Sequence, residues 1–234
     1  MIEKITLLKK DYYFYTRMGE KLEIYDLKDN LIKIQDREDY YKEIREEFLK
    51  TKKITKKVKA IRLLLMNSNG RIFLQKRSKL KNENPGLYDK TVGGDVQAGD
   101  SYESTVVKEC AEELGFPASI LNEEDFKRSI KTTDISIVGI FRKVDIDSNF
   151  KSKRVLEGKK SMIQPYISAV YFGYYDGPIK FVDGESCGIE VFSIEDLEKD
   201  IKSNPEKFTE DIKIMIKKYR SYIKPISFRW NIMN

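Results

Sequence analysis

Histidine is absent from the 234-residue chain. Without an imidazole, Ser-His-Asp and Cys-His catalysis are excluded, together with every His-ligated metal site. Cysteine is nearly absent. Cys110 and Cys187 stand far apart with no CxxC, so neither a disulfide framework nor a cysteine zinc site follows. No apolar run approaches the roughly 18 residues that a membrane span requires. The opening "MIEKITLLKKDYYFYTR" lacks the basic, apolar, small-residue order of a secretory leader, so the expected location is cytoplasmic. Chemistry in this chain must come from carboxylates, lysine, tyrosine, backbone groups or a metal held by oxygen.

What is present is ordinary for a globular protein: 40% hydrophobic and 35% charged residues, enough apolar material for a core. The formal net charge of +6 favours anionic partners. Much of it lies in "KTKKITKKVK" (Lys50 to Lys59), which reads as a solvated connection. Aromatic residues are not interleaved with these lysines as in a single-strand nucleic-acid groove, so nucleic acid is disfavoured as a partner.

The chain has no internal repeat. Residues 21–35 predict two short strands about the turn "DLKDN", and Arg37 to Lys50 predict a helix. "KAIRLLLMNSNGRIFLQKRS" predicts a hairpin closed at Asn-Gly. "ISIVGIFRKVDI" and "QPYISAVYFGYY" read as strands, "SIEDLEKDI" and "EDIKIMIKKYRSYI" as helices. The mixed order predicts an α/β (α+β) fold, a mixed sheet with helices packed on it. The expected division is an N-terminal extension over 1–55 and a main domain over 56–234.

The stretch "GGDVQAGDSYESTVVKECAEELGF", Gly93 to Phe116, concentrates the polar signals. Residues 100–114 predict one helix, with Asp100 and Glu103 as a capping box and Gly115 and Pro117 as its stop. On a helical wheel Val107, Cys110, Ala111 and Leu114 gather on one side. Glu109, Glu112 and Glu113 gather opposite, because i, i+3 and i+4 share a face. Three like charges repel, and a cation between them reverses that cost. Oxygen-only ligands suit Mg²⁺ or Mn²⁺. A solvated acidic stripe is the plain alternative, but Gly93 and Gly94 allow close backbone approach beside it.

These residues resemble the Nudix box, G-x5-E-x7-R-E-U-x-E-E-x-G-U, with U bulky and apolar. Gly94, Glu109, Glu112, Glu113, Gly115 and Phe116 fit, and Cys110 fills the apolar position. Asp100 stands in place of Glu, and Lys108 in place of Arg. The resemblance extends over roughly residues 58–200, through the "NSNG" hairpin and "GIEVFSIEDL", where Val191 replaces a tryptophan. The N-terminal stretch and "QKRSKLKNENPGLYDKTVGGDV" are similar to the branch related to isopentenyl-diphosphate isomerases.

The resemblance implies an α/β/α sandwich and Mg²⁺- or Mn²⁺-dependent hydrolysis of a diphosphate in a nucleoside diphosphate derivative. It implies that Glu109, Glu112, Glu113 and the Gly94 carbonyl hold the metal, and that Lys108 orients a glutamate without an arginine's bidentate fork. Asp100 is one methylene short for its role. Glu185 is the candidate general base, against the alternative of an ordinary loop acid. Lys76 and Arg77 are candidate phosphate ligands, or else charges of a strand edge. Tyr88, Tyr166 and Phe172 are aromatics for stacking or for packing. The partner implied is a phosphorylated, nucleotide-derived small molecule, and the resemblance admits a homodimer.

Three readings compete. Isomerase activity needs a cysteine just before the box and histidine ligands, where this chain has Thr91-Val92-Gly93 and no histidine. A module that only binds nucleotide is opposed by the full set of glutamates. Hydrolysis of capped or triphosphorylated RNA rests on the basic balance alone.

Overall fold

The structure, a computed structural model, describes residues 19–155, 161–180 and 186–226. Glu185 and the N-terminal stretch read for a leader lie outside these residues. No helix among the described residues is long and apolar enough to cross a membrane.

Strand β3 (Lys56–Met66) organises the molecule. The run from Ala60 to Met66 is buried on both faces, as its almost unbroken apolar sequence requires. One edge of β3 pairs in parallel with β9 (Ser161–Tyr174) over its whole usable length, from Val58↔Tyr166 to Met66↔Tyr174. Three shorter strands share the other edge. β1 (Lys21–Asp26) pairs near Val58, β6 (Val92–Asp95) pairs with Ala60 to Leu63, and β4 (Ile72–Arg77) pairs at Leu65 and Met66. β2 (Leu31–Asp36) forms a hairpin with β1, and β5 (Tyr88–Asp89) and β10 (Ser186–Phe192) extend β4. β8 (Gly139–Val155) and β7 (Ala118–Ile120) continue the sheet beyond β9. Ten described strands thus form one mixed sheet.

Both local turns follow from their residues. Asp26 closes the β1–β2 turn by accepting from the Lys28 and Asn30 amides at 2.8 and 2.9 Å. Gly70, at φ +76°, closes β3–β4 in a conformation that favours glycine.

Helices cover both faces. Ile61, Leu63 and Leu65 point to one face, where Val106, Cys110 and Leu114 meet them. Leu64 and Met66 point to the other, against α3 (Glu123–Thr132), α4 (Ile194–Ser203) and α5 (Glu210–Tyr219). On that second face, α1 (Arg37–Thr51) inserts Tyr40 and Ile44 into a cluster with Leu22, Ile24, Val58, Phe150 and Tyr166. Residues 21–51 therefore pack on the same sheet as the residues after 56. The expected strand from Ile135 begins later, at Gly139, and runs on to Val155. Helix α3 was not expected, because its polar sequence carries only Phe126 as a fully buried residue.

Candidate active site

The box helix is built differently from the expected single helix over 100–114. Helix α2 spans Tyr102–Glu109, and a π-turn spans Cys110–Leu114. The cap is not Asp100 with Glu103. Ser101 accepts from the Ser104 amide at 3.0 Å, and the Ser104 hydroxyl accepts from the Ser101 amide at 3.0 Å. Ser101 has the extended backbone of an N-cap, and Asp100 sits exposed just before it. Gly115 ends the turn as expected, at φ +73°, with its amide on the Cys110 carbonyl.

Burial follows a different arc of the helix from the expected one, and its 3- and 4-residue spacing runs on through the π-turn. The buried apolar set is Val106, Cys110 and Leu114, while Val107 and Ala111 are exposed. Glu109 and Glu113 turn inward, 8% and 4% exposed, and Glu112 faces outward. Among the described residues no three Asp, Glu or Cys side chains converge into a metal-ligand group.

Gly94 explains where Glu109 sits. It pairs with Ile61, so its missing side chain would point to the face of the box helix. A Cβ there would lie 2.8 Å from the Glu109 Cδ, and closer still to Oε1. The carboxylate therefore fills the space that glycine leaves open. A buried carboxylate beside bare backbone offers oxygen donors, the kind a hard divalent cation takes. Cys110 adds no such ligand: burial pushes its thiol well up, so it stays a packed, protonated group.

Gly93 faces the other way, beside Arg62. A Cβ at Gly93 would lie 3.1 Å from Lys90 Nζ and would overlap Lys90 Cε. Lys90 thus occupies the volume that a cysteine at position 93 would need. Its ammonium reaches Asp89 at 3.2 Å and Asp211 at 3.4 Å. Asp211 also takes Arg62 Nε at 3.2 Å and the Ser152 hydroxyl at 2.6 Å. Burial raises the Asp211 carboxyl, but Arg62, Lys90 and Arg154 outweigh it and hold it well below the usual range. The Arg62 guanidinium lies 3.8 Å from the Phe150 ring centre and donates to Ser168. Sequence reading missed this charged cluster, whose members lie up to 149 residues apart. The one local signal was "DK" at Asp89-Lys90, directly before the glycines.

The remaining expected residues are dispersed. Lys108 lies 4.0 Å from Glu20, which Arg37 also approaches at 3.6 Å. The Lys76 ammonium stands 3.7 Å from the centre of the Tyr88 ring. Arg77 donates to the Glu83 carbonyl at 2.9 and 3.2 Å and pairs with Asp89 at 3.6 Å. Tyr166 and Phe172 are buried in the core, and Tyr88 packs on Phe192 and Phe208.

A mixed sheet covered by helices, with a glutamate of one helix seated on a glycine strand, defines a class of α/β domain with an oxygen-lined site. The family model of the NUDIX domain matches residues 56–212, and the chain belongs to this family. An uncharacterized Nudix hydrolase of Pseudomonas aeruginosa is 41% identical over 61 residues, which cover 26% of this chain and 36% of that protein. A Nudix hydrolase of Deinococcus radiodurans is 35% identical over 66 residues, covering 28% and 39%. The chain thus spans well under half the length of these relatives. An isopentenyl-diphosphate Delta-isomerase of Serratia proteamaculans is 23% identical over 151 residues, covering 64% and 70%. Among solved structures, a Deinococcus radiodurans protein superposes with a TM-score of 0.58 at 20% identity, covering 85% of this chain and 98% of the other. That likeness shows the fold.

Proposed function

We propose that the protein hydrolyses a diphosphate linkage in a nucleoside diphosphate derivative, with Mg²⁺ or Mn²⁺ as cofactor. The observation that carries this reading is the fit of the Glu109 carboxylate into the space above Gly94. Glu109, Glu113 and the Gly94 carbonyl would hold the cation, with Glu112 at the outer side. A bound divalent cation neutralises diphosphate charge and makes water a better nucleophile at neutral pH.

The chain's own residues supply position and proton transfer. Glu113, buried one turn beyond Glu109, would keep its carboxylate on the site side. Lys76, whose ammonium stands over the Tyr88 ring at the end of β4, is the proposed ligand of a phosphate oxygen. Arg77, tied to Glu83 and Asp89, acts by shaping that strand end. Lys108 and Asp100 contribute from the rim, and Glu185 is the proposed general base. The substrate is a phosphorylated, nucleotide-derived small molecule. The cytoplasm is the proposed location, and pairing as a homodimer is compatible with this role.

The test is Mg²⁺-dependent phosphate release from a panel of nucleoside diphosphate derivatives. Glu113→Gln should lower turnover on the order of 10²-fold or more, the scale of losing a positioned acid–base or charge-stabilising group. A Glu113→Gln protein as active as the parent would sink the mechanism. Inactivity of the parent across a broad panel with both metals would favour a module that only binds. The occupation of position 93 by Lys90 disfavours the isomerase reading, and measurable isomerisation of isopentenyl diphosphate would reverse that judgement.

A further inference from the structure

Residues 20–41 fall in the stretch expected to be an N-terminal extension. They grip the chain that runs from Gly94 to the box helix. Among the described residues β6 pairs with β3 alone, and it ends at Asp95. Residues 96–101 then lead directly into helix α2. This connector decides how the helix lies over Gly94. Glycine stands at 93, 94 and 99, the last at φ +89°. Glycines leave backbone free to turn, so stiffness has to come from outside the connector.

Contacts from residues 20–41 supply it. The Asp95 carboxylate accepts from the Tyr41 hydroxyl at 2.7 Å and from Arg37 Nε at 3.2 Å. Gln97 Nε2 donates to the Glu20 carboxylate at 3.0 Å, and Gln97 pairs with Leu22 in an antiparallel bridge. The Ala98 amide donates to the Lys21 carbonyl at 2.7 Å. Glu20 and Arg37 are joined in turn. The Arg37 amide donates to the Glu20 carbonyl at 2.8 Å, and Arg37 Nε lies 3.6 Å from the Glu20 carboxylate. That carboxylate also lies 4.0 Å from the Lys108 ammonium on the box helix. One assembly of Glu20, Arg37 and Tyr41 therefore reaches both the connector and the box helix.

The clamp has a firm base. Arg37 and Tyr41 are four residues apart on α1, so they share a face. Tyr40 and Ile44 anchor α1 in the core, both fully buried. The Arg37 guanidinium lies 5.0 Å from the centre of the Tyr41 ring. Burial pushes the Tyr41 hydroxyl well up, so it stays protonated and donates. Side chains alternate along a strand, so Asp95 points to the Gly93 side, away from Glu109. It holds the backbone to which it belongs and does not share the Glu109 site. The Arg37 and Asp95 side chains are 20% and 11% exposed. An ion pair so far withdrawn from water returns little net stability against the cost of desolvating its charges, and what it fixes is geometry.

We propose, on the reading of the box as a cation site, that Arg37 and Tyr41 are positioning residues of that site. Through Asp95 they hold Gly94 and the connector at the spacing from Glu109 that a cation requires. Neither touches substrate.

Calorimetric titration of the full chain with Mn²⁺, without substrate, tests this. Arg37→Ala should raise the Mn²⁺ Kd by about ten-fold, the scale of losing an outer partner of a metal site. Tyr41→Phe removes one hydroxyl, keeps the ring and should raise the Kd as well, so it carries the test if Arg37→Ala does not fold. The double variant should be weakened by less than the product of the two effects, because both residues act through one carboxylate. Ile44→Val controls for stability: it loosens the same helix, should lower the urea midpoint and should leave the Mn²⁺ Kd unchanged. Parent-like Mn²⁺ binding in either folded variant overturns the clamp and leaves the box reading standing. So do effects that multiply in full, or a weakening that Ile44→Val reproduces. A parent protein that binds no Mn²⁺ overturns the box reading, and the clamp with it.

Discussion

Glu109 and Gly94 occupy one volume between them, and this pairing sets what single substitutions do. Gly94→Ala places a methyl against the Glu109 carboxylate. The expected outcome is a folded protein that needs more Mg²⁺ for half-maximal phosphate release and turns over more slowly. A metal dependence equal to the parent's would remove Gly94 from the site. The two cysteines differ in the same local way. Cys110 is buried with its thiol pushed up, whereas Cys187 is exposed. A thiol reagent should therefore titrate one cysteine rapidly in the native protein and both in denaturant. At this scale the sequence was legible wherever a residue type admits one use. The spacing pointed to Gly94 and Glu109, which the fold brings together. The partners of Lys76, Arg77 and Lys108 were not legible, because a flexible cation takes whichever acid or ring the fold brings near.

The box helix shows what helical arithmetic captures and where it stops. Its glycine stop was readable, but its cap and the π-turn were not, since no side chain of Cys110 to Leu114 announces a wider turn. Glu109 and Glu113, four residues apart, face inward and Glu112 outward. The cap moved by one residue because two serines satisfy both amides reciprocally, which Asp100 cannot do once Gly99 at φ +89° turns the chain before it. Ser101→Ala should cost about 1 kcal/mol of stability in urea denaturation, the usual worth of an N-cap. An unchanged midpoint would show that Asp100 takes over the cap. Helix α3 went unread because Phe126 and Ile130 are its only apolar residues, although they share one face.

Across the whole molecule, Asp211 binds the C-terminal helix to the middle of the sheet through Arg62, Lys90 and Ser152. Its carboxyl is held below the usual range in the folded state. The stability it contributes is therefore fully present above the ordinary carboxylate range and is lost as pH falls through the depressed value. Asp211→Asn should destabilise the protein by about 3–5 kcal/mol at neutral pH, because Arg62 and Lys90 stay buried without their shared acid. The difference from the parent should narrow in strongly acidic solution, read as melting temperature against pH. A pH-independent difference would assign the loss to packing. The sheet and most of its helical cover were legible from patterning, α3 excepted. This long-range cluster was not, because nothing in a single sequence says which distant acid meets which buried base.

Lys90 and Gly93 carry one more consequence, for variation among chains of this fold. The two positions compete for one space, so they are free to change only together. A chain with a side chain where Gly93 stands should carry a shorter residue where Lys90 stands, and should then lack one of the cations that answer Asp211. Substituting position 93 alone should be poorly tolerated, whereas shortening position 90 first should open the way to new chemistry beside the box.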